Sequence, residues 1–171
     1  VDGVRTTHGA KDHYLFPVAG SHIELAKFLN HSVILQARDG RVFFVINIGN
    51  RSRVGTTEWA CPDPENVRVT EADQEYLLES LSRVFPFRLF KREEILNADA
   101  GVRPLSASPG ATNVNSISRD HEIKIDPDGV LHVVGVKLTD HRRAAENVVN
   151  LLIPALTREI VHKKSLTAVT P

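Results

Sequence analysis

The chain has 171 residues, 42% of them hydrophobic and 25% charged, with Lys plus Arg matching Asp plus Glu at 21 each. That length suits one domain with an appended tail, and it buries enough surface to fold without staples. Zero net charge gives no electrostatic case for DNA, RNA or an anionic membrane, and one cysteine, Cys61, excludes an internal disulfide and a thiolate metal centre.

The N-terminal VDGVRTTHGAKDHY has no hydrophobic signal core and no initiating methionine, and methionine is absent throughout. The expectation is a processed or truncated piece of a longer protein in a reducing compartment. No apolar run reaches the 18 residues that a membrane-spanning helix requires.

The first predicted strand is HYLFPVAG at 13–20, broken by Pro17 and Gly20. SVILQA and RVFFVIN follow as β-rich runs, and Asp39-Gly40 between them is a hairpin signal. The continuous VFFVI predicts a strand covered on both faces. Gly49-Asn50 turns the chain into a shorter strand at Ser52–Gly55, completing an antiparallel meander. CPDPEN at 61–66 reads as a loop.

TEADQEYLLESLSRVF carries the best helix pattern: Thr70 as N-cap, Asp73 three later, and Ala72, Tyr76, Leu77, Leu81 and Val84 at helical spacing. Pro86 stops it. A mixed-charge segment then runs into a strand ending in VRPL, and SASPGATNVNS reads as a loop. ISRDHEIKI alternates like a half-buried strand, Asp128-Gly129 is a hairpin turn, and VLHVVGV returns. A last helix begins near Thr139 or Asp140 and is kinked or ended by Pro154. The order strands, helix, strands, helix, with hairpins prominent, predicts an α+β fold, a mostly antiparallel sheet with flanking helices. The expected division is 1–154 for the main domain and 155–171 for a helical tail.

Candidate chemistry rests on few residues. Arg103 sits between Val102 and Pro104, where backbone geometry is extended, so its guanidinium either grips an anion or closes a salt bridge with an acid. Arg119, beside Asp120 and His121, has the same two readings, an inward anion contact or an edge charge. Lys137 lies at a strand-to-helix junction whose N–H groups attract an anion or an electron-rich ring edge, unless Thr139 or Asp140 is a plain N-cap. The eight histidines are scattered without zinc-helix spacing, so no metal is expected. His22 follows Gly-Ser at a strand end and reads as an acid–base group or a turn residue. The chain holds no G-x-G-x-x-G, no Walker loop and no elbow serine.

In order, GSHI (20–23), RVFFVI with VGTTE (54–58), VRVTEADQEYLLESLSRVFP (67–86), AGVRPL (100–105), SISRDHEI (116–123) and GVKLTDHRRAAENVV (135–149) span about 130 residues. This set resembles the FAD-dependent glycerol-3-phosphate dehydrogenases of the D-amino-acid-oxidase-like flavoproteins. The resemblance implies the substrate-domain part of such an enzyme, without its N-terminal FAD-binding motif and later helical extension. It places Arg103, Arg119 and Lys137 at the substrate, His22 and Arg103 in catalysis, and Gly135, Lys137, Leu138 and Thr139 at the cofactor.

The implied parent oxidises sn-glycerol 3-phosphate to dihydroxyacetone phosphate, binds FAD, and is cytoplasmic or peripheral to the inner membrane. The alternatives are a related flavoenzyme for another small hydroxy or amino acid, or a non-catalytic anion-binding or interaction module. The isolated piece is expected to bind no FAD, to be inactive and to self-associate, with a small phosphorylated molecule as the partner and no nucleic acid. Val136 replaces a glycine of the family pattern, and Asp140-His141 replace Thr-Tyr. A Cβ at 136 is expected to crowd the flavin, while Asp140 either repels it or caps the helix.

Overall fold

A computed structural model describes residues 1–107, 114, 117 and 119–167, with the side chains of 155 and 157–167 outside that description. SASPGATNVNS falls largely outside it. The chain divides into two compact units. The larger is built on Phe16–Pro104, and the smaller gathers Val1–Leu15, residues 105–107 and the chain from Ile117 onward. The fold is α+β, and the sheet of the larger unit is antiparallel at every pair whose register is resolved.

In the larger unit, β1 (Leu15–Ala26) is the central strand. β2 (Val33–Gln36), β3 (Val42–Ile48), β4 (Arg51–Gly55) and β5 (Trp59–Ala60) give the order β2-β3-β4-β1-β5, and β6 (Asn97–Ser106) also pairs with β1. The expected break at Pro17 and Gly20 does not occur. Pro17 lacks an N–H, but the ladder uses its carbonyl, which accepts from Cys61 N–H at 2.9 Å. Gly40 supplies the left-handed φ of +83° that the β2–β3 turn demands, and Ala37 N–H closes the turn on Arg41 O.

Leu77, Leu78 and Leu81 of the helix Glu71–Val84 meet Ile23, Leu25, Phe43, Val45 and Val54 in one buried cluster. Each buried leucine contributes roughly 1.5–3 kcal/mol. The capping box forms as expected, Asp73 N–H donating to Thr70 Oγ1 and Thr70 N–H to the Asp73 carboxylate. The buried stripe is rotated from the predicted one: Ala72 is exposed, while Asp73, Leu78 and Ser80 are buried. The expectation that VFFVI is covered on both faces is corrected too. Phe43 and Val45 are buried, but Val42, Phe44, Ile46 and Ile48 are exposed, the period-2 alternation of a half-covered sheet.

The smaller unit buries Leu105, Ile117, Val134 and Ala144 and, with them, a polar cluster. A six-residue helix, Asp2–Thr7, places Arg5 at 4% exposure. Its Nε donates to both Asp126 oxygens and its Nη2 to Asp12, and its guanidinium lies 3.4 Å from the Tyr14 ring centroid. Tyr14 Oη donates to Asp126 Oδ1 at 2.6 Å, and His132 Nε2 lies 2.9 Å from Oδ2. The Tyr14 hydrogen bond, reinforced by Arg5 and His132 against the effect of burial, holds the Asp126 pKa down at about 2. β7 (Glu122–Ile125) and β8 (Leu131–Val134) form the predicted hairpin, with Gly129 at φ +86°. Arg119 and Asp120 precede β7 rather than alternating within it. The C-terminal helix His141–Thr167 contains Pro154 and runs through it, so the expected 154/155 boundary falls inside a helix. One proline removes one i→i−4 bond, which a long helix survives. Among the described residues no helix is long and apolar enough to cross a membrane.

Candidate functional site

The outer face of the larger unit's sheet carries the charged residues. His22 of β1 pairs with Gly55 of β4, which pairs with Phe44 of β3, and Glu24 pairs with Arg53 in the next outward row. The His22 ring lies over Gly55 so closely that a Cβ there would overlap the ring carbons. Glycine at 55 is therefore the seat of the imidazole.

Arg103 reaches this face from β6 by crossing Gly20 of β1. A Cβ at Gly20 would stand 2.8 Å from Arg103 Nη2 and overlap Thr56 Oγ1 and the Thr57 carbonyl. Across that gap Arg103 Nη2 donates to Thr56 Oγ1 at 2.8 Å and Nη1 to Glu58 Oε1 at 3.2 Å. Both partners lie where the chain passes from β4 to β5. That passage is tied to β1 by a reciprocal pair: Thr57 N–H donates to Ser21 O, and Ser21 N–H to Thr57 Oγ1. The salt-bridge reading of Arg103 is thus realised, on a carboxylate only 9% exposed, with the guanidinium side chain 31% exposed.

Beside them Arg53 Nη2 donates to Asp99 Oδ2 at 2.6 Å and Nη1 to Glu24 at 3.3 Å, and Arg51 holds the other Glu24 oxygen at 2.7 Å. Burial pushes the His22 pKa below its ordinary value, and Arg53 and Arg103 push the same way against Asp99. That shift favours the neutral imidazole, which has a lone pair to offer.

The remaining predicted residues lie in the smaller unit. Gly135 has φ +71°, and a Cβ would stand 3.3 Å from Asp120 O, so a left-handed glycine is needed there. Val136, Lys137, Leu138 and Thr139 are exposed, and a 3-10 turn at Leu138–Asp140 follows. Among the described residues no non-glycine has positive φ, so Val136 in place of glycine costs no backbone strain. Asp140 is committed to His121, its Oδ2 2.5 Å from Nδ1, while Asn147 Nδ2 lies 3.0 Å from Nε2. Asp140 thus orients a histidine, an outcome that neither sequence reading contained.

Val136 and Leu138 form an exposed apolar pair beside Lys137 and the N–H groups of a first helical turn, a chemistry compatible with an electron-rich aromatic ring edge. Arg119 is exposed in this same unit. The structure therefore brings His22 and Arg103 together on one sheet face, and Gly135, Lys137, Leu138, Thr139 and Arg119 into the other unit. Among the described residues no group of three or more His, Cys, Asp or Glu could hold a metal.

Glu24, Arg53, Glu58 and Asp99 were missed as site residues. Their signal was present for the first two: His22-x-Glu24 and Arg51-x-Arg53-x-Gly55 repeat polar positions at period 2 against apolar neighbours.

Residues 3–139 match the family of FAD dependent oxidoreductases of the DAO type, and the chain belongs to that family. It is 33% identical over 132 residues to aerobic glycerol-3-phosphate dehydrogenase of Bacillus subtilis, covering 77% of this chain and 24% of that one. It is 35% identical over 136 residues to D-erythritol 1-phosphate dehydrogenase of Brucella abortus, covering 75% and 27%. The solved structure of glycerol-3-phosphate dehydrogenase from Bacillus halodurans complexed with FAD superposes with a TM-score of 0.76 at 26% identity, over 91% of this chain and 30% of that one. The chain spans about a quarter of the length of these relatives.

Proposed function

We propose that this chain is the substrate-binding part of an FAD-dependent oxidoreductase whose substrate is a small phosphorylated alcohol, with sn-glycerol 3-phosphate oxidised to dihydroxyacetone phosphate. The carrying observation is one sheet face that holds the His22 ring over Gly55, its pKa lowered by burial, beside an Arg103 held by Thr56 and Glu58. His22 accepts the proton of the C2 hydroxyl. Arg103 donates hydrogen bonds to substrate oxygens. In the smaller unit Arg119 and Lys137 offer positive charge to an anion. Gly135, Lys137, Leu138 and Thr139 hold the flavin. When bound, that cofactor supplies the acceptor for the C2 hydride. D-Erythritol 1-phosphate is the second substrate to test, because a relative named for it matches this chain at 35% identity.

The test uses the longer protein that carries this chain, loaded with FAD. Anaerobic addition of sn-glycerol 3-phosphate is expected to bleach the flavin, and His22→Asn to slow bleaching at least 100-fold, as loss of a general base does. Failure of both substrates to bleach it contradicts the proposal. The 171-residue chain alone binds no FAD and gives no turnover under this reading. Its exposed Val149, Leu152 and Leu156 drive self-association, which light scattering would register as a species heavier than a monomer.

A further inference from the structure

We propose that Asp99 is a positioning residue for His22, a carboxylate on the neighbouring strand that orients the imidazole and compensates its charge once it has taken a proton. The inference rests on the reading of His22 as the proton acceptor.

β6 runs along β1 and brings Asp99 to its outer face. Leu96 N–H donates to Glu24 O at 2.8 Å, and seven residues on, Arg103 lies over Gly20. Asp99 is bonded to Arg53, which pairs with Glu24 two residues along β1 from His22, so the carboxylate shares the face that carries the imidazole. Its two oxygens differ. Oδ2 accepts from Arg53 at 2.6 Å, whereas Oδ1 is enclosed and has no hydrogen-bond partner among the described residues. An enclosed carboxylate oxygen without a donor is costly and calls for one. His22 is a candidate donor, because no hydrogen bond to its ring is found among the described residues.

The charges facing His22 give the second argument. From β4 comes Arg53, from β6 Asp99 and Arg103, from β1 itself Glu24, while β3 presents the uncharged Phe44. Arg103 is answered by Glu58, and Glu24 by Arg51 and Arg53. In the proton step the substrate O–H bond breaks and a ring nitrogen gains the proton, so a cation forms beside two guanidiniums. Asp99 is the carboxylate acting on His22 in the opposite sense to Arg53 and Arg103. A mere counter-ion for Arg53 would do its work equally well at any ring orientation, and this is what the experiment separates.

The His22 ring signals are titrated by NMR in the full 171-residue chain. Asp99→Asn is expected to lower the His22 pKa by about half a unit or more, and Asp99→Glu to restore most of the shift. Arg53→Gln, which removes a repulsive charge and releases Asp99, is expected to raise it. A His22 pKa unchanged in Asp99→Asn, with the amide spectrum otherwise preserved, overturns the proposal. In the longer FAD-loaded protein, Asp99→Asn is expected to lower kcat about tenfold or more with KM nearly unchanged, and to shift the acidic limb of the pH profile downward. Equal changes in kcat at every pH would overturn the role. If His22→Asn leaves turnover intact, the reading of His22 itself falls and takes this role with it, whatever the titration shows.

Discussion

The two units differ in what lies at their buried centres. In the larger, a helix and a sheet enclose leucines, valines and Phe43, and a row of ion pairs lines the outer face of the sheet. In the smaller, the buried centre is an arginine stacked on a tyrosine and bonded to an aspartate, with a histidine closing the set. Apolar burial tolerates small shifts, since its strength follows area. A buried ionic cluster is all-or-none, because losing one member leaves its partner desolvated and unpaired. The contrast suits a protein whose sheet must present charged groups in fixed positions while its core does the folding.

The contrast predicts a graded series of losses. Asp126→Ala should have the largest effect, abolishing cooperative melting of the smaller unit in calorimetry while the larger unit still unfolds. A single unchanged transition would show the units are not held differently. The pH dependence has a definite sign. Because the Asp126 pKa is depressed to about 2, its stabilisation is complete above the unfolded value of 3.8 and is lost as pH falls through about 2. Asp126→Asn should flatten urea midpoints across that window.

Leu77→Ala in the larger unit should cost about 2–5 kcal/mol without loss of cooperativity. Gly55→Ala comes next, at roughly 1–3 kcal/mol from overpacking, and should displace the His22 ring signals in NMR. Thr70→Ala, which removes half of the capping box, should cost about 1 kcal/mol in urea denaturation.

Legibility followed the same division. The β2–β3 hairpin and the helix at Glu71–Val84 were readable because Asp39-Gly40 and Thr70-x-x-Asp73 act locally. The helix Asp2–Thr7 was not, being six residues long with no side-chain cap; its residues serve Asp126, more than a hundred positions away. His22 and Arg103 could be named from motif and neighbours. The Glu58 and Asp99 partners could not, since strand pairing and the gap over Gly20, rather than sequence proximity, bring them to the site.

The central claim is that the sheet face bearing His22 and Arg103 receives the substrate. Steady-state kcat/KM for sn-glycerol 3-phosphate, measured in the longer FAD-loaded protein with Arg103→Gln, tests it most directly. Loss of a charge-assisted hydrogen bond predicts a fall of roughly 10–100-fold. An unchanged kcat/KM, in a variant that folds and keeps its flavin, would contradict the account.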